Sequence, residues 1–153
     1  MIYQGHEFCP DPDPPYRDLN KVDVTVNVVN TTNNPYFTAN FSVKETLAGY
    51  SWRFKIGFEK EGKVIIENDF KGLSCNIFLP KLIYRISSIN YNHNTCDIFK
   101  GNYTLHKLEI STLDRAVNYL PTRRLGIYAY YLSYYKPKGT CFCIQSRLLF
   151  TKA

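Results

Sequence analysis

The chain has 153 residues, 44% of them hydrophobic, with 13 tyrosines, 10 phenylalanines and one tryptophan. That content fits one domain burying roughly two thirds of its unfolded surface, and it excludes disorder over most of the length. No run approaches the ~18 continuous apolar residues needed to cross a bilayer, so no transmembrane segment is expected. The net charge of +6 favours anionic partners only weakly, and the basic residues are scattered: only Arg123 with Arg124 and Lys136 with Lys138 lie close together, which gives no stripe for nucleic acid.

Residues 9–20 read CPDPDPPYRDLN, where four prolines forbid helix and central strand. Residues 1–20 are therefore expected to form an extended proline-rich arm tied down by Cys9, and residues 21–153 a single domain. Val22, Val24, Val26 and Val28 alternate with polar residues, the period of a strand with one wet face. The cluster Asn30-Thr31-Thr32-Asn33-Asn34-Pro35 ends it in a turn. Alternation returns in Phe37, Ala39, Phe41 and Val43, then in Trp52, Phe54, Ile56 and Phe58. Gly62 opens a turn before a short strand, Val64-Ile65-Ile66.

Phe78, Leu82, Ile86 and Ile89, at steps of four and three, predict a short amphipathic helix with Pro80 in its first turn. A strand over residues 82–89 competes with it. Tyr103, Leu105 and Lys107 opposed to Asn102, Thr104 and His106 predict a strand. Ser111-Thr112-Leu113-Asp114 then starts a helical turn to Tyr119. Strands over residues 127–135 and 141–150 are joined by the turn Lys136-Pro137-Lys138-Gly139. Seven or so strands with little helix describe an antiparallel sandwich or barrel.

In the strand carrying Tyr128, Tyr130, Tyr131, Tyr134 and Tyr135 both faces are aromatic. Either one face packs while the other offers hydroxyls to water, or an exposed aromatic face meets a partner.

Cys9, Cys75, Cys96, Cys141 and Cys143 contain no C-x-x-C, so disulfides are expected rather than a zinc ribbon or a redox motif. The sequons at Asn30, Asn40 and Asn102 agree with a secreted, extracellular glycoprotein. Met1-Ile2-Tyr3-Gln4 lacks a charged segment followed by an apolar one, which reads as a mature chain with an initiating Met. Catalytic groups are thin. Ser74 lacks the second glycine of a nucleophile elbow. His6, His93 and His106 are expected to be solvated. A zinc site of His93 and Cys96 with Cys141 and Cys143 has the wrong spacing. No enzyme, metal or cofactor is expected.

The second half carries Cys96-Asp97-Ile98-Phe99-Lys100-Gly101-Asn102-Tyr103-Thr104-Leu105, then Leu120-Pro121, Ile127-Tyr128-Ala129-Tyr130, and Cys141 before the last strand. This resembles the ganglioside-activator-like branch of the ML lipid-recognition superfamily, with its arthropod secreted and chemosensory-type relatives. Asp97 stands where relatives often have proline, and Arg123 near where they have glycine.

The resemblance implies an all-β, two-sheet antiparallel (immunoglobulin-like) β-sandwich with one or two short helical segments. Its sheets would splay to hold acyl chains, and it would have no catalytic residues. It implies the pairs Cys9 with Cys141 and Cys75 with Cys96, leaving Cys143 odd.

Two functions follow. The first is a secreted monomeric carrier or presenter of a lipid or fatty-acid-like ligand. Phe41, Trp52, Phe54, Phe58, Leu82, Ile86, Tyr103 and Leu105 would line its pocket, and Arg123, Arg124, Tyr128 and Tyr130 would meet a headgroup or partner. The second is a secreted signalling or immune-modulating effector with a packed core, binding a cell-surface receptor or an anionic glycan. Cavity volume discriminates them, since a carrier needs several hundred Å³.

Overall fold

The computed structural model describes residues 2–31, 34–115 and 125–151. Among them the chain forms β1 (Ile2–Phe8), β2 (Val22–Val29), β3 (Tyr36–Val43), β4 (Ser51–Lys60), β5 (Lys63–Leu73), α1 (Phe78–Ile86), β6 (Gly101–Glu109), α2 (Ile110–Arg115), β7 (Gly126–Lys136) and β8 (Gly139–Phe150). A five-stranded sheet, β1-β8-β7-β4-β5, faces a three-stranded one, β2-β3-β6. All strand pairs are antiparallel. The fold is the expected all-β two-sheet sandwich with two short helical segments.

Alternation sets the faces. Phe37, Ala39 and Val43 of β3, Trp52, Phe54 and Ile56 of β4, and Phe142, Ile144 and Leu148 of β8 are buried between the sheets. Removing each large side chain from water is worth about 1.5–3 kcal/mol. The β4–β5 hairpin turns at Glu61 and Gly62, whose φ of 55° and 76° match the twist of a two-residue connection.

Four expectations are corrected. Residues 2–8 form β1, an edge strand paired with β8, so the sheet begins inside the expected arm. The strand expected at residues 64–66 runs to Leu73; among the described strands β5 pairs with β4 alone, and two register shifts, between Trp52↔Leu73 and Phe54↔Phe70 and between Ile56↔Asn68 and Gly57↔Ile66, break its alternation. In α1 the buried stripe is Leu79, Ile83 and Tyr84, while Leu82 and Ile86 are half-buried. The helix is therefore rotated by about one residue from the expected phase, with Pro80 in its first turn. In β6 the register slips between Ala39↔Leu105 and Phe37↔Leu108. This bulge turns Leu108 inward and leaves Lys107 outside, over the Tyr36 ring. The turn expected to reach Tyr119 is helical over Ile110–Arg115, and its remainder lies outside the described residues.

A fifth correction concerns the cysteines. Cys75 is bonded to Cys96, but Cys9 is bonded to Cys143, and Cys141 is the free thiol. Register is the reason: Phe8 stands opposite Ile144, so the next residue, Cys9, meets Cys143 across the ladder with Cα atoms 5.4 Å apart. Cys141 is the extra residue of a bulge between Tyr134↔Phe142 and Tyr135↔Thr140. The bulge turns it into the core against Val22, Tyr50 and Tyr134.

The arm is held from both sides. Arg53 bonds the Asp69 carboxylate through Nε (2.8 Å) and Nη2 (2.6 Å), and its Nη1 donates to the Asp13 carbonyl (2.7 Å). Tyr50 donates its hydroxyl to Asp18 at 2.5 Å, and the ammonium groups of Lys21 and Lys136 stand 3.7 Å from the same carboxylate.

Candidate functional site

The candidate site is the seam between the sheets. Two cavities lie there, of about 60 Å³ and 30 Å³. Phe41, Trp52, Ile83 and Phe142 border both, so the voids are neighbours. Val26, Phe37, Ala39, Phe54, Leu105 and Leu132 complete most of the larger one, with Ser146 and the phenol of Tyr130 as polar neighbours. Tyr103, Ile98 and Tyr134 help to close the smaller one.

The two ends of the sandwich are built differently. Cys75 follows β5 of one sheet and Cys96 precedes β6 of the other, so their disulfide staples the sheets together at one end. There Tyr84 accepts the Trp52 indole N–H (3.1 Å) and donates to the Cys96 carbonyl (3.2 Å), while Tyr103 donates to the Phe99 carbonyl (2.6 Å). Burial pushes the Tyr84 hydroxyl above its ordinary pKa, so it stays a neutral donor. Toward the opposite end Phe58, Tyr128 and Phe150 stack edge to face, with ring centroids 5.1 and 5.4 Å apart.

Of the expected pocket residues, Phe41, Trp52, Phe54, Tyr103 and Leu105 border the cavities. Phe58 instead packs on Tyr128 beyond them, and the helix contributes Ile83 in place of Leu82 and Ile86. Tyr128 and Tyr130 are corrected as partner contacts. Each is 3% exposed, because β7 turns Tyr128, Tyr130, Leu132 and Tyr134 toward the three-stranded sheet. Arg123, Arg124 and the Leu120-Pro121 pair lie outside the described residues. Val26, Phe37, Ala39 and Leu132 were missed as lining, although each sits on the inward phase of a recognised strand.

Asn40 and Asn102 are exposed on the outer face of the three-stranded sheet, where the Thr104 hydroxyl donates to Asn40 Oδ1 at 3.1 Å. Asn30 is exposed too, and the Thr32 of its sequon lies outside the described residues. His93 and His106 are exposed, but His6 is not simply solvated. It takes the Tyr3 hydroxyl on Nδ1 and donates from Nε2 to the Val26 carbonyl (3.3 Å), joining the edges of the two sheets. Among the described residues, no group of three or more His, Cys, Asp or Glu is placed to hold a metal ion, and no helix is long and apolar enough to cross a membrane.

No protein-family model matches the chain, and no curated protein matches it. What the arrangement can do chemically is exclude water and contact hydrocarbon.

Proposed function

We propose that this is a secreted protein that binds a hydrophobic ligand, a lipid or fatty-acid-like chain, between its two sheets. One observation carries the reading: the sandwich interior holds two neighbouring apolar voids that share Phe41, Trp52, Ile83 and Phe142 as lining. An apolar space of this kind gains about 0.8 kcal/mol for each ligand methylene it removes from water. The resemblance to the ganglioside-activator-like ML branch supports the same reading through residues 96–105 and the two-sheet fold. Two disulfides agree with an oxidising, extracellular compartment, and exposed Asn40 and Asn102 would be glycan acceptors there.

In the closed sandwich the voids fall below the ~300–1,000 Å³ of pockets that enclose drug-sized ligands. A long chain is therefore accommodated by displacing Phe41 and Phe142 and parting the sheets. Among the described residues the disulfide that joins the sheets is the Cys75–Cys96 staple on the β5–β6 side, so the β1–β2 edge across the sandwich carries no covalent link between them.

The small voids favour a second reading: a secreted effector with a packed core, acting through its surface on a receptor or an anionic glycan. Native mass spectrometry of the protein from a eukaryotic secretion host decides between them. Adducts that vanish on denaturation and reappear in an organic extract support the ligand reading. A bare native mass, with no uptake from mixed fatty acids and phospholipids, refutes it and leaves the packed-core effector.

A further inference from the structure

The edge of the sandwich between β2 and the β1–β8 pair carries a groove of about 540 Å³, the size of a pocket for a small organic ligand. Its walls include Phe8, Leu19, Val22, Val24, Cys141 and Phe142. Phe8 and Leu19 form an apolar rim, 51% and 57% exposed. Phe142 is the connecting residue, because it borders this groove and both interior cavities. Its ring meets Phe8 edge-on at 6.3 Å and Phe41, within the seam, at 6.4 Å. Val22, Val24 and Cys141 also border both the groove and the smaller cavity, so these side chains together with Phe142 stand between the surface groove and the interior.

We propose that this groove is a lateral portal, with Phe142 as its gate, through which a single hydrocarbon chain passes into the seam. The proposal rests on the ligand-binding reading above and adds its route.

Three features fit a gate here. β2 is laddered to β3, and β8 to β1 and β7, so widening the gap between β2 and β8 breaks no strand-pairing hydrogen bond. The bulge at Cys141 lets adjacent residues 141 and 142 border the same groove, where regular alternation would send one of them to the opposite face. Farther along, the His6 Nε2–H bond to the Val26 carbonyl closes the edge, which confines the opening to the stretch beside Val22 and Val24. The occupant that fits is an unbranched hydrocarbon chain: the voids behind the groove are only about 60 and 30 Å³, and the groove and the voids are lined mainly by apolar side chains.

The test uses the full disulfide-bonded chain and its sole tryptophan. Trp52 borders both voids, so a long-chain fatty alcohol brominated at mid-chain quenches its fluorescence on reaching the seam. Stopped-flow uptake and displacement are compared for wild type, the rim variant Phe8→Asn with Leu19→Asn, and the gate variant Phe142→Ala. The rim side chains are half exposed, so that variant keeps the fold even if Phe142→Ala does not.

The expected result is that the rim variant slows uptake and release together, each by about tenfold, a barrier change of about 1.4 kcal/mol, with Kd unchanged. The gate variant speeds both. Quenching of wild type with unaltered rates in the rim variant overturns the portal and leaves the ligand reading standing. A weaker Kd at an unchanged uptake rate also overturns the portal, because the groove is then a resting site. No quenching in any protein refutes both.

Discussion

Replacing Ala39 by Val fills the larger void and measures it. Ala39 is 5% exposed on β3 and borders the 60 Å³ cavity. Cavity volume costs about 24 cal/mol per Å³, so the whole void is worth about 1.4 kcal/mol. Independently, two added carbons at about 0.8 kcal/mol each give about 1.6 kcal/mol. Valine also suits a strand, where its branched Cβ loses little rotamer freedom. The substitution is therefore expected to stabilise the protein by about 1 kcal/mol, after allowing for imperfect fit. In urea unfolding followed by Trp52 fluorescence, with an m-value of about 2 kcal/mol/M, the midpoint rises by about 0.5 M at constant m. A fall in midpoint of that size or more would mean overpacking, which typically costs about 1–3 kcal/mol. It would refute the void as usable space. The same variant is expected to take up brominated alcohol more weakly, since the methyl groups occupy the ligand's volume.

Further outcomes follow from the cysteines and the carboxylates. Burial, reinforced by the Asp18 carboxylate, pushes the Cys141 thiol up to about 12. The folded protein is therefore expected to be inert to Ellman's reagent at pH 8 and to release one equivalent in denaturant; rapid labelling of the native state would contradict the assignment of Cys141 as the buried thiol. Cys143→Ser breaks the Cys9 bridge and is expected to cost about 2–5 kcal/mol, more than Cys141→Ala, with non-reduced peptide mapping joining Cys9 to Cys143 in the wild type. The Tyr50 hydroxyl, helped by Lys21 and Lys136, holds the Asp18 carboxyl below its ordinary range against desolvation, and Arg53 does the same for Asp69. Since both folded values lie below the unfolded value, these groups contribute stability that is fully present above about pH 4 and lost as pH falls through the folded pKa values. Asp18→Asn is expected to flatten the acid limb of a stability profile, and an unchanged limb would refute the Tyr50 bond.

Local pattern determined much of this protein. The alternation of Val22 to Val28, Phe37 to Val43 and Trp52 to Phe58 specifies strands and their inward faces without knowledge of their neighbours, because a strand has period two whatever it packs against. For that reason Phe41, Trp52, Phe54 and Leu105 were legible as seam residues. What pattern did not determine was everything that depends on register or on which face is covered. Both faces of β7 carry tyrosines, so the pattern did not say which of them pack, and only the opposing sheet decided that Tyr128 and Tyr130 are buried. The helix phase was misread by about one residue because Leu79, Leu82, Ile83 and Ile86 make more than one apolar stripe, and the stripe that packs is chosen by the sheets. The bulges at Lys107 and Cys141 are invisible in a period-two count, since each adds a residue that shifts all later side chains. The β1–β8 register settled which cysteine meets Cys9, and the second bulge turned Cys141 inward beside Phe142. Chain order could not disclose that position, because it is a property of three strands and not of one.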